Sequence, residues 1–244
     1  MIEVAHLHKS FKQVVAVDDV TFTAPDGQIT GLLGPNGAGK TTSLRILYTV
    51  YRADRGTAKI DGFDAAESPR EVQTRIGVLP DNIGLYPRLT SREHIRYFGR
   101  LHGMPPEEVE RSTDELIKLL DMADIADRRT EGFSHGQRVK VALARALVHH
   151  PKNLLLDEPT NGLDVMSTRI VRRLLQRLRD EGQCILFSSH VMQEVSALCD
   201  RIVVVARGRV AASGTADELR AATGQATLED AFVAAIGSEE GLRL

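Results

Sequence analysis

Nine residues, GPNGAGKTT from Gly34 to Thr42, hold three glycines, a lysine and two adjacent hydroxyls in the spacing G-x-x-x-x-G-K-[ST]. They lie between ITGLLG, an apolar run that reads as a short buried strand, and TTSLRILYTV, which reads as a helix. Glycines let successive backbone N–H groups converge on a phosphate, and the following helix N-terminus adds partial positive charge. The expected phosphate cradle is therefore Gly34, Pro35, Asn36, Gly37, Ala38, Gly39, Lys40, Thr41 and Thr42. In such a loop the lysine, Lys40, reaches the β- and γ-phosphates, and the Thr41 hydroxyl is a ligand for Mg²⁺.

A site of this kind needs a second anchor for the metal and a group that handles water. NLLLDEPTNGLD supplies both. Three leucines of a buried strand end in Asp157, at the end where sheets of alternating strands and helices open on their ligands. Asp157 is placed to hold Mg²⁺, directly or through water. Glu158 follows, free of that task, and suits the polarising of an attacking water. An apolar run ending in Asp-Glu is by itself only a strand end; the phosphate loop gives it weight. A third stretch, EGFSHGQRVKVALARAL, opens a helix with Ser134, His135, Gly136 and Gln137. Ser134 and Gln137 have capping-box spacing, which satisfies two orphan backbone donors. The small and polar residues of that helix start also suit an anion.

The elements that must position these residues follow from the patterning. Residues 1–30 alternate apolar and polar, as in VDDVTFTA, and predict half-buried strands with a turn at PDGQ. AKIDG and IGVLP add strands. From about residue 90 to 149 the pattern is helical, and Pro105-Pro106 followed by acids marks one helix start. From 151 onward strands (NLLLD, QCILFSSH, RIVVVAR) alternate with helices (STRIVRRLLQRLRDEG, VMQEVSALC), which predicts a buried, mostly parallel sheet. GTADEL restarts a helix with a Thr215–Glu218 capping box, and TLEDAFVAAIG predicts one more.

Bulk composition narrows the function classes. The 244 residues are 42% apolar and 26% charged, with a net charge of −2 and no tryptophan. Neither a basic surface nor a stacking platform for nucleic acid is evident, so no nucleic-acid partner is expected. No apolar run approaches the roughly 18 residues of a membrane span, and the first residues lack an apolar signal core. A cytosolic location is expected. Cys184 in a strand and Cys199 near a helix end read as packing residues. His149 and His150, adjacent on a helix, cannot chelate one metal from one face. His6 and His8 share a strand face without a third ligand nearby.

With FSHGQ between the two phosphate-site motifs, residues 1–222 resemble the nucleotide-binding subunit of an ATP-binding-cassette transporter, motif by motif and in family order. FSHGQ is similar to the family signature LSGGQ at Ser134, Gly136 and Gln137. The resemblance implies an α/β P-loop NTPase (RecA-like) core with a mostly parallel sheet, an N-terminal antiparallel β subdomain and an inserted helical lobe. It implies one ATP-binding domain over 1–244, the lobe at about 82–150 and a short tail at about 223–244. It further implies ATP and Mg²⁺, hydrolysis by Glu158, His190 and Lys40, and a head-to-tail homodimer. In that dimer the signature helix start faces ATP held by the second copy. Phe11 falls where the family stacks an aromatic on adenine; packing in the core is the other reading. Asn161 and Asp164 of NGLD resemble the loop that crosses the dimer, and His190 the switch histidine.

Two positions leave the family pattern. At His135 the family has glycine, so a side chain there either crowds the phosphate or adds a donor. Asp81, in LPDNIGLYP, stands where most relatives place a glutamine that meets Mg²⁺ and water. A carboxylate also suits Mg²⁺; the local alternative is a cap on a turn or short helix beginning at Asn82. GLYPRLTSREHIRYFGRLHGM and LEDAF resemble the bacterial branch of sodium-efflux and drug-efflux exporters. That branch implies a separate integral-membrane permease, docked near residues 82–104, and a peripheral place on the inner face of the cell membrane. The main rival is a soluble cassette ATPase acting on ribosomes or DNA. A GTPase switch lacks its guanine-reading Asn-Lys-x-Asp here, and a non-hydrolysing module does not account for Glu158 and His190.

Overall fold

The computed structural model describes residues 1–237. The N-terminal hairpin of β1 (Ile2–Phe11) and β2 (Val14–Ala24) leads into β3 (Ile29–Leu33), the phosphate loop and α1 (Lys40–Leu47). β4 (Arg55–Ile60), the two-residue β5 (Phe63–Asp64), α2 (Pro69–Gln73) and β6 (Ile76–Leu79) follow. The lobe holds α3 (Ser91–Leu101), α4 (Pro106–Leu119) and α5 (His135–Leu147). Then come β7 (Asn153–Asp157), α6 (Val165–Asp180), β8 (Cys184–Ser189), α7 (Met192–Leu198), β9 (Arg201–Ala206) and β10 (Arg209–Gly214). The helices α8 (Ala216–Thr223) and α9 (Leu228–Ile236) complete the described chain. The expected tail helix is thus present up to Ile236; residues 238–244 of that tail lie outside the described residues.

All ten strands join one mixed sheet in the order β5-β4-β1-β2-β10-β9-β3-β8-β7-β6. The run β9-β3-β8-β7-β6 is parallel throughout, while β1, β2, β4 and β5 pair antiparallel. A parallel β2–β10 contact joins the two parts. Every residue of β3, β7 and β8 is buried, because both faces are covered, which is why these strands read as unbroken apolar runs. One face packs on the lobe and α6, the other between α1 and the N-terminal strands. Local chemistry starts the helices where expected. Thr90 and Glu93 form a capping box on α3, Pro106 and two acids open α4, and Asp164 caps α6 through the Met166 and Ser167 amides.

Two local readings change. His6 sits at φ 50 within a register shift of β1, a bulge that interrupts the strict alternation placing His6 and His8 on one face. Their rings go separately to Asp19 and to the Asp18 carbonyl. His149 and His150 lie past the end of α5, not on it. His149 Nε2 donates to the Ile76 carbonyl at 3.0 Å, and its ring stacks on His102 at 3.6 Å between centroids. Its Nδ1 is buried without a partner among the described residues, and burial together with His102 pushes its pKa down to about 4.

The unfolded chain protonates this histidine near pH 6.5, so between that pH and about 4 it binds a proton that the folded protein refuses. Stability therefore falls as pH drops through that window. Urea midpoints at pH 7 and pH 5 are expected to differ less in His149→Gln than in the parent. Equal losses in the two proteins would show that His149 does not carry this share.

Candidate active site

Sheet register assembles the site. In the parallel run β3-β8-β7, Leu33 pairs with Ser189 and Asp157 with Ser188. The three strands therefore end side by side, and the segments leaving them at Gly34, Glu158 and His190 meet at one edge. A cleft of about 440 Å³ opens there, lined by the phosphate loop from Asn36 to Thr42 together with Asp81, Glu158, Asn161 and His190. That volume is within the usual range for a small-molecule site.

The loop is shaped by close approach. A Cβ on Gly34 would stand 2.2 Å from the Val205 carbonyl oxygen, and Gly39, at φ 104, leaves room for Ala16 O at 2.5 Å from its own missing Cβ. Gly39 is also the N-cap of α1 and brings no side-chain cap, which leaves the first-turn N–H groups to an anion. Lys40 is 5% exposed and donates through Nζ to Gly34 O at 2.7 Å and Pro35 O at 3.1 Å. Its Nζ is 4.0 Å from Glu158 Oε1. Burial holds the ammonium below its ordinary pKa, against the opposing pull of Glu158 and then Asp157.

Asp157, 2% exposed, accepts through Oδ1 from Thr41 Oγ1 at 3.1 Å and Ser188 Oγ at 2.5 Å. Its Oδ2 is buried with no partner among the described residues. An orphaned carboxylate oxygen beside a threonine hydroxyl fits the donor set of a hard divalent cation. Asp81 brings another carboxylate to the same cleft. No set of three His, Cys, Asp or Glu side chains stands close enough to hold a metal alone among the described residues.

Glu158 has φ 50, the left-handed region that a non-glycine residue enters only when its surroundings hold it there. Its amide donates to Ser188 O at 3.2 Å and Ser188 Oγ at 3.1 Å. Both carboxylate oxygens lie 3.0 Å from His190 Nδ1. An ionised carboxylate only accepts, so Nδ1 carries the hydrogen and Nε2 is left to face other groups.

Some expected residues stand elsewhere. Ser134 and Gln137 form the capping box of α5, yet Ser134, Gly136 and Gln137 do not line their own chain's cleft. The His135 ring folds onto its own chain, 2.9 Å from Asn161 O, so it does not project from the helix start. Phe11 is neither in the core nor in the cleft lining: it is 38% exposed and meets Tyr51 edge-on at 5.1 Å. Val14, Val15 and Ala16, just beyond the hairpin turn, line the cleft instead. No helix begins at Asn82, and Asp81 makes no hydrogen bond among the described residues, so the capping reading of Asp81 is not met. Ser188 escaped the sequence reading. Its signal was two serines closing an otherwise apolar strand.

Comparisons with known proteins agree with this geometry. The family model described as ABC transporter matches residues 17–161. The chain is 46% identical over 209 residues to the ABC transporter ATP-binding protein NatA of Bacillus subtilis (strain 168), covering 85% of each. It is 37% identical to the Nod factor export ATP-binding protein I of Paraburkholderia xenovorans (strain LB400), over 89% of this chain and 72% of that one. Among solved structures, an ATP-binding subunit of an ABC transporter superposes with a TM-score of 0.90 at 29% identity, over 96% of this chain and 99% of that one. A dimeric bacterial ABC transporter cassette superposes at 0.81 with 25% identity, over 88% and 98%. With a phosphate loop and a strand-end Glu158 lining one cleft, and a buried Asp157 bonded to Thr41 behind it, this chain belongs to the ABC transporter family, as an ATP-binding and ATP-hydrolysing subunit.

Proposed function

We propose that the protein powers export through a separate integral-membrane permease, hydrolysing ATP with Mg²⁺ as one half of a head-to-tail nucleotide-sandwich homodimer. The observation that carries the reading is the incompleteness of one chain. The start of α5 at Ser134, Gly136 and Gln137 is an anion-ready helix end that stays outside its own chain's cleft. A second copy supplies the nucleotide that this end faces, as the similar dimeric cassette and the signature-like FSHGQ both favour. Export is favoured by the name of the Nod factor export relative and by the efflux-like segment from Gly84 to Met104. Tyr86 and Leu101, 51% and 62% exposed, give the lobe an apolar surface for the permease. No helix among the described residues is long and apolar enough to cross a membrane. In this reading a separate permease spans the membrane and this subunit rides on its cytoplasmic side. Residues 1–244 act as one ATP-binding domain.

Within the site, the amides of the phosphate loop and Lys40 bind and orient the β- and γ-phosphates, Lys40 exchanging its carbonyl partners for them. Thr41, Asp157 and Asp81 would hold Mg²⁺, which when bound neutralises phosphate charge. Glu158 takes the proton of the attacking water as its oxygen bonds to the γ-phosphorus. The bond to the β,γ-bridging oxygen breaks, and its electron pair stays on ADP. His190 holds the Glu158 carboxylate through Nδ1–H.

Copurification with a hydrophobic permease is expected. Copurification with ribosomes or DNA instead would favour the soluble-ATPase reading. Lys40→Ala is expected to weaken both ATP binding and hydrolysis; undiminished activity would refute the phosphate assignment. Glu158→Gln is expected to keep ATP binding, to slow hydrolysis by roughly 10²–10⁴, the range for losing a general base, and to accumulate the ATP-bound dimer on sizing. A Glu158→Gln protein saturated with Mg-ATP yet monomeric, alone and with its permease, would count against the sandwich. For Asp81, both Asp81→Asn and Asp81→Ala are expected to need more Mg²⁺ for half-maximal hydrolysis while melting like the parent. A Mg²⁺ titration of Asp81→Asn that overlays the parent would remove Asp81 from the metal site.

A further inference from the structure

His135 opens α5 on the lobe, but its ring reaches the loop that carries Glu158. Nε2 lies 2.9 Å from the Asn161 carbonyl oxygen. A carbonyl only accepts, so Nε2 carries the hydrogen. The ring also covers Gly162, where a Cβ would meet its Cδ2 at 3.5 Å. Asn161 in turn closes a tight turn on Glu158, its amide donating to Glu158 O at 3.1 Å. The residue at the head of this turn is the one held at φ 50. A conformation that sparsely populated persists only where several contacts determine it. Ser188 fixes the Glu158 amide from the sheet, and Thr160 within the turn bonds Glu194. His135 supplies the contact from the lobe, at the far end of the same turn.

We propose that His135 is a positioning residue for hydrolysis, holding the Glu158–Asn161 turn, and with it the Glu158 carboxylate, through the hydrogen bond from Nε2 to the Asn161 carbonyl. The inference rests on Glu158 acting as the base. A glycine at 135 has no side chain to make this bond, so the loop of this protein is tied to its lobe by a link that depends on one imidazole. His135 does not line its own chain's cleft, so its loss is expected to leave ATP binding there unchanged and to show in the turnover step. A small displacement of a reacting group is enough for a large rate change.

The test is ATPase kinetics on the full chain with Mg-ATP, together with thermal melting. His135→Ala is expected to lower kcat roughly 10-fold, with KM for ATP and the melting temperature unchanged. His135→Gln, whose amide N–H stands at about the reach of Nε2, is expected to recover most of the rate. In a Glu158→Gln background the same His135→Ala change is expected to do little, because the group it positions is gone. A parent-level kcat in His135→Ala overturns the inference, and so does a loss of equal size in both backgrounds or a change confined to KM. Glu158→Gln run beside them separates the two readings. If it hydrolyses at the parent rate, the Glu158 assignment fails and this inference with it. If it is slow while His135→Ala is unchanged, only the inference about His135 fails.

Discussion

The site is organised around a carboxylate that has almost no water. Asp157 closes β7 inside the molecule, and an isolated ion there would cost several kcal/mol even after relaxation. One oxygen is satisfied by two hydroxyls, from Thr41 at the start of α1 and Ser188 at the end of β8. The other oxygen has none. The sheet therefore sets a half-satisfied carboxyl group against the phosphate loop, a donor arrangement that fits a hard divalent cation. The demand also constrains the sheet: only the register that pairs Asp157 with Ser188 brings the second hydroxyl into reach, since a shift of one residue turns that side chain to the other face.

Lys40 is the counterpart of this arrangement. Its ammonium is buried on the Gly34 and Pro35 carbonyls, a shell that neutralises no charge, and its pKa is depressed by that burial. Two carboxylates nearby pull the other way without a tight contact; Glu158 Oε1 is 4.0 Å off. An ammonium held close to the phosphate position, short of a strong partner, loses little by turning to an anion. Glu158 is paired with His190 through Nδ1–H, so its carboxylate is oriented by a neighbour that keeps Nε2 for other groups. The cleft thus places a lysine ammonium and a histidine-held carboxylate side by side.

The helix α5 ties the lobe to two loops of this cleft. Arg138 Nη2 donates to Ile83 O at 2.8 Å and Arg145 Nη1 to Gly84 O at 2.9 Å, gripping the segment after β6 that carries Asp81. From its first residue, His135 grips the turn after Glu158. Between them, close packing fixes the helix on the sheet: a Cβ on Gly77 would meet Ala146 O at 2.3 Å. Each of these links ends on a backbone carbonyl, so it ties the lobe to the main chain of the cleft's loops. Apolar burial sets where α5 lies, and the polar links fix which loops it holds.

The parts of the site that depend on local backbone geometry were legible in the sequence. The glycine spacing of the phosphate loop, the strand-end Asp157–Glu158 pair and the Ser134–Gln137 capping box each specify their conformation within a few residues, and the structure forms all three. The helix starts at Thr90, Pro106, Asp164 and Thr215 obey the same local chemistry, although only the last two of these caps and Pro106 stood out in the sequence as helix signals or functional loop residues. What only the tertiary structure decided is which of these meet. Ser188 joins Asp157 through strand pairing, Val14 to Ala16 reach the cleft in place of Phe11, and the His135 ring goes to Asn161 and not to a phosphate. The bulge at His6 and the early end of α5 before His149 belong to the same class. Local propensity governs φ and ψ over a turn or two, whereas strand order, register and the direction of an exposed ring are settled by contacts between residues distant in the chain. Those contacts leave no periodic trace in a single sequence.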